Sequence, residues 1–438
     1  MMSFLKITGW WLAALVFCAP VWSQPAVISV KKWVTPTGTA VWYYPRTHLP
    51  MVDIAVVLRA GSAFDQQHPG VAMLTTRMLN QGADSMTADQ IAQQFDRCGA
   101  SYAAVADKDK AVVQLRSLSA ARYLDSALTL FQKVLTAPDF KTADFRRLRQ
   151  LQMYSEKKIQ SDPGLVALEH MYTVLYQQHP YGHPVNGTVN DTKKLTVQMV
   201  RDFYKKMYVA KNAVIVIVGN VSLKKAHRIA ALISHNMGTG PAAKGLKLAA
   251  RPRAQQKMIE APVNQSAVLI GALGVTPHSA DYYNLVLANY ILGGGMQSIL
   301  FDILRNRQGL TYGAFSKFYA MQYRGPFLLS LSTRTNKRDK ALAVAWQALH
   351  DYVRKGPTAA QVSNAQKELS ARWPVLLSAN SDLLKYAIFV AFYDLPMNFL
   401  SDYINHIRAV TPPSAHQALK KYLSLSMLST VVVGEKVA

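Results

Sequence analysis

The feature that most constrains this chain is a repeat. Residues 205–219, KKMYVAKNAVIVIVG, and residues 420–434, KKYLSLSMLSTVVVG, align without a gap at an offset of 215. Each starts with two lysines, as the last turn of a helix does, and runs into a β-branched apolar stretch that stops at Gly219 or Gly434. That offset is one domain length, and 438 residues are too many for a single compact core. The chain therefore reads as two copies of one α/β unit. Between them, residues 237–257 (MGTGPAAKGLKLAARPRAQQK) are rich in Gly, Ala, Pro and basic residues and have no apolar period. They read as a linker, with an N-terminal domain over 24–236 and a C-terminal domain over 258–438.

Periodicity fills in each copy. In the first half, VISVKKWV, TAVWYY and VDIAVVLRAG alternate or run apolar as strands do. Helical patterns follow over 70–81 and 88–97, the second capped by Thr87, then strands near 101–106 and 111–117. Helices over 121–134, 142–160 and 164–177 complete the layer. The second half repeats the plan with strand 265–272, helices 281–292 and 296–306, strands 311–319 and 326–333, and helices to about 422. The fold class expected is α+β: two homologous domains, each a mostly antiparallel sheet with helices packed on one face.

Residues 1–23, MMSFLKITGWWLAALVFCAPVWS, carry an early Lys, an apolar stretch, Pro20 and the small Ser23. This is the pattern of a secretory signal peptide cleaved near Ser23–Gln24, so the mature chain is expected in the periplasm. Phe17 is too bulky to precede a lipoprotein cleavage site at Cys18. Removing the signal leaves Cys98 alone, so no internal disulfide supports the core. The balance of 49 Lys and Arg against 25 Asp and Glu gives a formal net charge of +24. The basic residues are scattered, without the interleaved aromatics of a nucleic-acid groove, which argues for a solvated basic surface and against a nucleic-acid binder.

Residues 70–82, GVAMLTTRMLNQG, have the frame of a catalytic helix, apolar and bounded by glycine, with nothing in it to hold a metal or move a proton. The stretches RAGSAFDQQHPGVA, HPYGHPVNGT, NAVIVIVGNVS, LGGGMQSILFDILRNRQGLTYG and YDLP follow one another from about residue 59 to residue 396. In that order they resemble the pitrilysin/insulinase-type zinc peptidases, in particular the bacterial relatives of the mitochondrial processing peptidase. Active members carry His-x-x-Glu-His, the inverted zincin motif, on the opening helix, where positions i, i+3 and i+4 share a face. Two imidazoles there ligate zinc and the carboxylate serves the metal-bound water. In this chain those positions are Met73, Thr76 and Arg77. Met is a weak soft ligand, Thr is no general base near neutral pH, and Arg is a permanent cation that repels zinc.

The resemblance places the third ligand, a Glu, on a later helix before an Asp-Pro turn. Glu156, ahead of Asp162-Pro163, fits that place, and also reads as an ordinary helix-surface carboxylate or as a partner for Arg77. No replacement motif emerges: VALEH (166–170) has Val166 where a His is needed, and His179 and His183 belong to a Pro-rich turn. No metal is expected in this chain. The family's C-terminal pattern R-x-x-x-G-L-x-Y is intact as Arg305, Gly309, Leu310 and Tyr312. Gly309 suits a helix C-cap with positive φ, so that Arg305 ends a helix and Tyr312 starts a strand, both pointing into one cleft. The resemblance implies that this pair polarises the carbonyl of a bound peptide.

Some bacterial members resemble heterodimers that divide the work, one subunit holding zinc and the other the Arg and Tyr. The chain resembles the second kind: a catalytically incomplete subunit acting in trans on a peptide held between subunits, added as a strand to a sheet edge. It is expected to be inactive alone, with zinc in the partner. The alternative is a non-enzymatic periplasmic peptide-binding or structural subunit. A peptidase that uses another metal by itself lacks the ligands.

Overall fold

A computed structural model describes residues 28–65 and 67–435. The signal peptide expected over residues 1–23 lies outside them. The first half opens with strands β1 (Lys31–Val34), β2 (Ala40–Pro45) and β3 (Met51–Leu58), then helix α1 (Val71–Met78). A two-residue hairpin, β4 (Gly82–Ala83) and β5 (Met86–Thr87), leads to α2 (Ala88–Arg97). Strands β6 (Ser101–Ala106) and β7 (Ala111–Leu118) precede α3 (Ala121–Thr136), α4 (Thr142–Ile159) and α5 (Pro163–Tyr176). Then come α6 (Val189–Lys194), α7 (Val197–Met207), β8 (Ala213–Gly219) and α8 (Leu223–His235).

The second half runs β9 (Gln256–Glu260), β10 (Gln265–Leu273), α9 (Tyr282–Gly293), α10 (Ile299–Phe301), β11 (Ala314–Phe318) and β12 (Pro326–Arg334). Helices α11 (Arg338–Lys355), α12 (Ala359–Leu376), α13 (Asn380–Phe392), α14 (Phe399–Arg408) and α15 (Pro412–Tyr422) follow, and β13 (Ser429–Gly434) closes the chain. Most second-half elements fall within a few residues of a first-half element displaced by 215.

The local chemistry is that expected from the sequence. Thr87 caps α2 in a reciprocal box with Gln90, and Asp162 caps α5, with Pro163 at its first position. The sheets are ordered β1-β2-β8-β3-β7-β6 and β11-β12-β10-β13-β9. Pairing is antiparallel except for β2 with β8 and β13 with β9. Strand β9 begins inside the stretch read as a linker, and Ala249 within that stretch is buried, so it packs rather than hangs free.

The halves exchange a helix. One face of the first sheet (Val41, Tyr43, Ile54, Val56, Ile215, Ile217) packs on its own helices. The other face (Trp42, Tyr44, Ala55, Val57, Val216, Val218) belongs to the cluster that contains Leu383, Leu384 and Ala387 of α13, a second-half helix. Reciprocally, α5 of the first half covers Ala267, Leu269, Val431 and Val433 of the second sheet. A polar clasp joins the halves at the β6–β7 turn. Buried Asp109 accepts hydrogen bonds from the hydroxyls of Tyr181 and Tyr393 (2.6 Å for the latter) and from the Gln322 N–H at 3.1 Å. Among the described residues no single helix is long and apolar enough to cross a membrane.

Candidate functional site

Helix α1 is set by its approach. Asp65, buried, accepts the Gly70 and Ala72 N–H groups at 2.6 and 2.8 Å, satisfying donors that the helix start leaves free. Burial raises the Asp65 carboxyl well above the ordinary carboxylate range. Gly70 has φ +94°, and a Cβ there would stand 2.2 Å from the Asn186 carbonyl oxygen and 2.9 Å from Gln152 Nε2. The glycine of the frame is therefore required by the 186–187 loop crossing the helix start.

The three positions that would carry zinc chemistry are filled. Met73 is in the core. Thr76 is fully buried; its hydroxyl bonds the Ala72 carbonyl at 2.8 Å and lies 2.9 Å from the Tyr208 hydroxyl. Arg77 is half-buried, its Nη1 3.4 Å from Gln152 Oε1. Burial lowers the guanidinium pKa, and the charge of Glu156 opposes that.

Glu156 is 2% exposed, which corrects the reading of it as a surface carboxylate. It accepts the Asn186 side-chain N–H at 3.0 Å. Burial is the main cause that raises its pKa to about 7; the Asn186 bond and Arg77 pull it down, and Glu169 pushes it up. Gln152, also buried, gives its amide to the carbonyls of Gly70 (3.1 Å) and Asn186 (2.8 Å). Arg77, Gln152, Asn186 and Glu156 thus form a polar ring between α1 and α4. Its one orphan, Asn186 Oδ1, is a lone oxygen beside a ring that already holds a fixed cation. These residues do not fit zinc, and among the described residues no group of three or more His, Cys, Asp or Glu is placed to hold a metal. Sequence reading missed Gln152 and Asn186; the signal available was Gln152 one helical turn before Glu156, on the same face of α4.

In the second half, the expected helix over 296–306 is interrupted. A short α10 widens into a π-helical stretch, Asp302–Arg307. There Gln308 N–H bonds Ile303 O at 3.2 Å, and the stretch closes through Gly309 N–H to Arg305 O at 3.1 Å and Leu310 N–H to Leu304 O at 2.9 Å. Gly309 has φ +56°, the left-handed cap its place in the pattern requires. The strand starts at Ala314, so Tyr312 lies in the loop before it and not at a strand start.

That loop is laced to β12. The Thr333 hydroxyl bonds the Leu310 carbonyl; the Thr311 hydroxyl bonds the Ser332 carbonyl at 2.6 Å and accepts the Gly313 N–H at 3.1 Å. Tyr312, 85% exposed, follows these two ties and is spanned by the Gly313 N–H bond back to Thr311. It lines a cavity of about 360 Å³ with Gln265, Thr311, Ser332, Thr333 and Arg334. Arg305 is exposed, its guanidinium 4.8 Å from the Phe301 ring centre, and does not line that cavity. The arrangement presents a phenol on a fixed loop and a cation on a wide helical turn.

A duplicated α+β unit whose opening helix carries Met73, Thr76 and Arg77 at the resembled zinc positions defines a peptidase-like fold without those ligands. Residues 44–189 match the insulinase family, peptidase family M16, and residues 194–369 match the peptidase M16 inactive domain. A crystal structure of a peptidase M16 inactive domain from Pseudomonas fluorescens is similar at TM-score 0.91 and 33% identity, covering 94% of this chain and 99% of that one. The chain belongs to peptidase family M16. It is also 22% identical over 400 residues to a non-peptidase homolog, YmxG, of Helicobacter pylori, covering 90% of this chain and 91% of that protein. It is 26% identical over 303 residues to an uncharacterized zinc protease of Rickettsia felis, covering 68% and 72%. Within that family its similarity extends to proteins described as inactive or non-peptidase, and its own residues at the zinc positions are Met73, Thr76 and Arg77.

Proposed function

We propose that this protein is the zinc-free subunit of a periplasmic peptidase heterodimer, supplying Arg305 and Tyr312 to a peptide carbonyl at the zinc site of a homologous partner. The observation that carries this reading is the contrast between the two motif sites. The α1 site is filled by a buried threonine, a methionine and a guanidinium, whereas Tyr312 is almost fully exposed on a loop whose backbone is tied to β12 just before it. An exposed phenol on a tied backbone adds nothing to the core. It suits a site completed by another surface. There the Tyr312 hydroxyl donates to the carbonyl oxygen as it gains negative charge, and the Arg305 cation adds its field. Both act more strongly on the transition state than on the ground state. The loop ties hold the backbone from which the tyrosine side chain projects, reducing the backbone ordering needed on engagement.

The chain alone should hydrolyse no peptide and hold no stoichiometric zinc. Mixed with a zinc-bearing partner, it should yield turnover that neither shows alone. Tyr312→Phe should lower kcat roughly 10²–10³-fold, the usual loss of one oxyanion donor, with heterodimer affinity unchanged. Arg305→Ala should also raise KM if the guanidinium holds the ground-state carbonyl. Met73→Ala should leave turnover nearly intact. Wild-type turnover by both Tyr312→Phe and Arg305→Ala heterodimers would overturn the reading in favour of a non-enzymatic peptide-binding or structural subunit. The stacking of Arg305 on Phe301 is the observation on that side.

A further inference from the structure

The exchanged helix α5 packs on β10, β13 and Leu328 of β12, leaving Phe315 and Lys317 of β11 and Ser330 and Ser332 of β12 exposed on the same face. That face is the floor of a groove of about 1290 Å³. Among the strand residues that line it, one face contributes 265 on β10 with the α5-covered 267 and 269, 315 and 317 on β11 with 319 just past it, and 328, 330 and 332 on β12; Val268, Ser316 and Leu331 between them also border it. The opposite wall is the end of α4 and the start of α5. Four large apolar side chains, Tyr154, Leu165, Phe315 and Tyr319, line it while 69%, 43%, 44% and 39% exposed. A contiguous exposed apolar patch of this kind marks a binding surface.

The polar lining has a sign. Lys158 on the α4 wall and Lys317 on the β11 floor both face the groove and are exposed, and neither joins an ion pair among the described residues. The one acid in the lining, Asp162, has its carboxylate engaged by the Gly164 and Leu165 N–H groups at the start of α5. Gln265 and Ser332 are shared with the small cavity beside Tyr312, where Arg334 adds a third cation. The groove therefore leads to the loop that carries Tyr312. Its volume exceeds the ~300–1000 Å³ typical of small-molecule pockets. A floor that includes Ser330, Ser332, Gln265 and Lys317 is too polar for a permanent subunit interface, which is more apolar.

We propose that this groove binds an extended peptide whose apolar side chains alternate with carboxylates, and that it thereby selects acidic substrates for delivery towards Tyr312. The delivery half rests on the heterodimer reading above; the binding half does not. The peptide lies on the bare face and not along the edge of β11, because the Ser316 carbonyl on that edge is already bonded by the Asn289 amide at 3.0 Å and its N–H faces Gly293.

The test uses the mature full-length chain without partner and two fluorescein-labelled decapeptides, identical in their Leu and Phe positions, one carrying Glu and the other Lys between them. Fluorescence polarisation should show the Glu peptide binding at least about tenfold tighter, with affinity falling as salt is raised. Lys317→Glu and Lys158→Glu should each weaken the Glu peptide about tenfold, and the double variant should prefer the Lys peptide. Ser330→Trp, which fills the groove from its floor, should abolish binding of both. Equal binding of the two peptides, or an unchanged preference in the folded double variant, overturns the proposal. Tyr312→Phe should bind the Glu peptide normally. If that variant binds and its heterodimer also turns over like wild type, the catalytic reading fails and the groove stands. If the heterodimer needs Tyr312 but the chain does not discriminate charge, the groove fails and the catalytic reading stands.

Discussion

Helix α1 and its counterpart 215 residues later, α9, occupy the same place in the two halves and have been filled differently. Met73, Thr76 and Arg77 correspond to Ala288, Ile291 and Leu292, all three buried. On the facing helix, Glu156 corresponds to Ala371. The second half buries its α9 residues in an aliphatic core, while Ala371 is exposed and the polar contact between the two helices lies elsewhere, from Tyr290 to Glu368 at 2.7 Å. The first keeps a half-buried guanidinium, a buried carboxyl and two amides where no chemistry remains. Such a ring costs desolvation that an apolar core would not, so the first half keeps polarity at the positions that the resemblance assigns to zinc.

The comparison breaks most visibly if a metal site is grafted into both helices. Met73→His with Thr76→Glu and Arg77→His should give a folded chain that binds about one zinc by elemental analysis, and adding Glu156→Ala should abolish it. Zinc bound equally well without Glu156 would displace that residue from the site. The same graft in α9, Ala288→His with Ile291→Glu and Leu292→His, buries three polar groups among aliphatics with Ala371 opposite. At roughly 1–3 kcal/mol for each unpartnered group, the sum rivals a typical domain's whole stability, and no cooperative unfolding transition should survive. A folded, zinc-binding α9 graft would show the halves to be equivalent after all.

A smaller effect is expected at the clasp. Asp109→Ala strands two tyrosine hydroxyls and a backbone N–H, and should cost about 3 kcal/mol or more in urea denaturation. The corresponding position in the second half is Arg324, whose guanidinium makes a bond to the Ala249 carbonyl at 3.0 Å. Arg324→Ala should cost about 1 kcal/mol or less. Equal losses would mean that the tie between halves is symmetric.

The smallest effect sharpens the account of the ring. Folding raises the Glu156 pKa from 4.5 to about 7, so the folded chain holds an extra proton in that window. Stability from this group is therefore present at pH 4.5 and below and is lost as pH rises towards 7. Glu156→Gln keeps the acceptor for Asn186 and removes the titration. Its advantage over wild type should grow by on the order of 2 kcal/mol between pH 5 and pH 8. A constant difference across that range would mean that Arg77 holds the carboxylate ionised throughout.

Much of the chain was legible in sequence because its information is local. The Thr87 cap, the strands at 101–106 and 326–334, and the positive φ at Gly309 each follow from residues within a few positions of one another. That Met73, Thr76 and Arg77 stand where the resemblance places His, Glu and His was equally legible, since one turn of helix spells it out. Sequence reading failed where hydrogen bonding depends on distant partners. The π-helical widening at 302–307 and the late start of β11 depend on Leu310 and Thr311 being tied to Thr333 and Ser332 of another strand. The burial of Glu156 depends on Asn186, thirty residues on.

The sequence by itself determined the duplication, the strand and helix periods, the dead metal positions and the survival of Arg305 and Tyr312. All of these are carried by residue identity at fixed spacing. Only the tertiary structure decided which helix covers which sheet. Helices α5 and α13 are apolar enough to lie against either half, and nothing in their periods says that each crosses to the other. That choice is made by the sum of buried area over both sheets. It packs the two copies against each other and leaves Lys317, Ser330 and Ser332 of the β11–β12 face exposed along the groove.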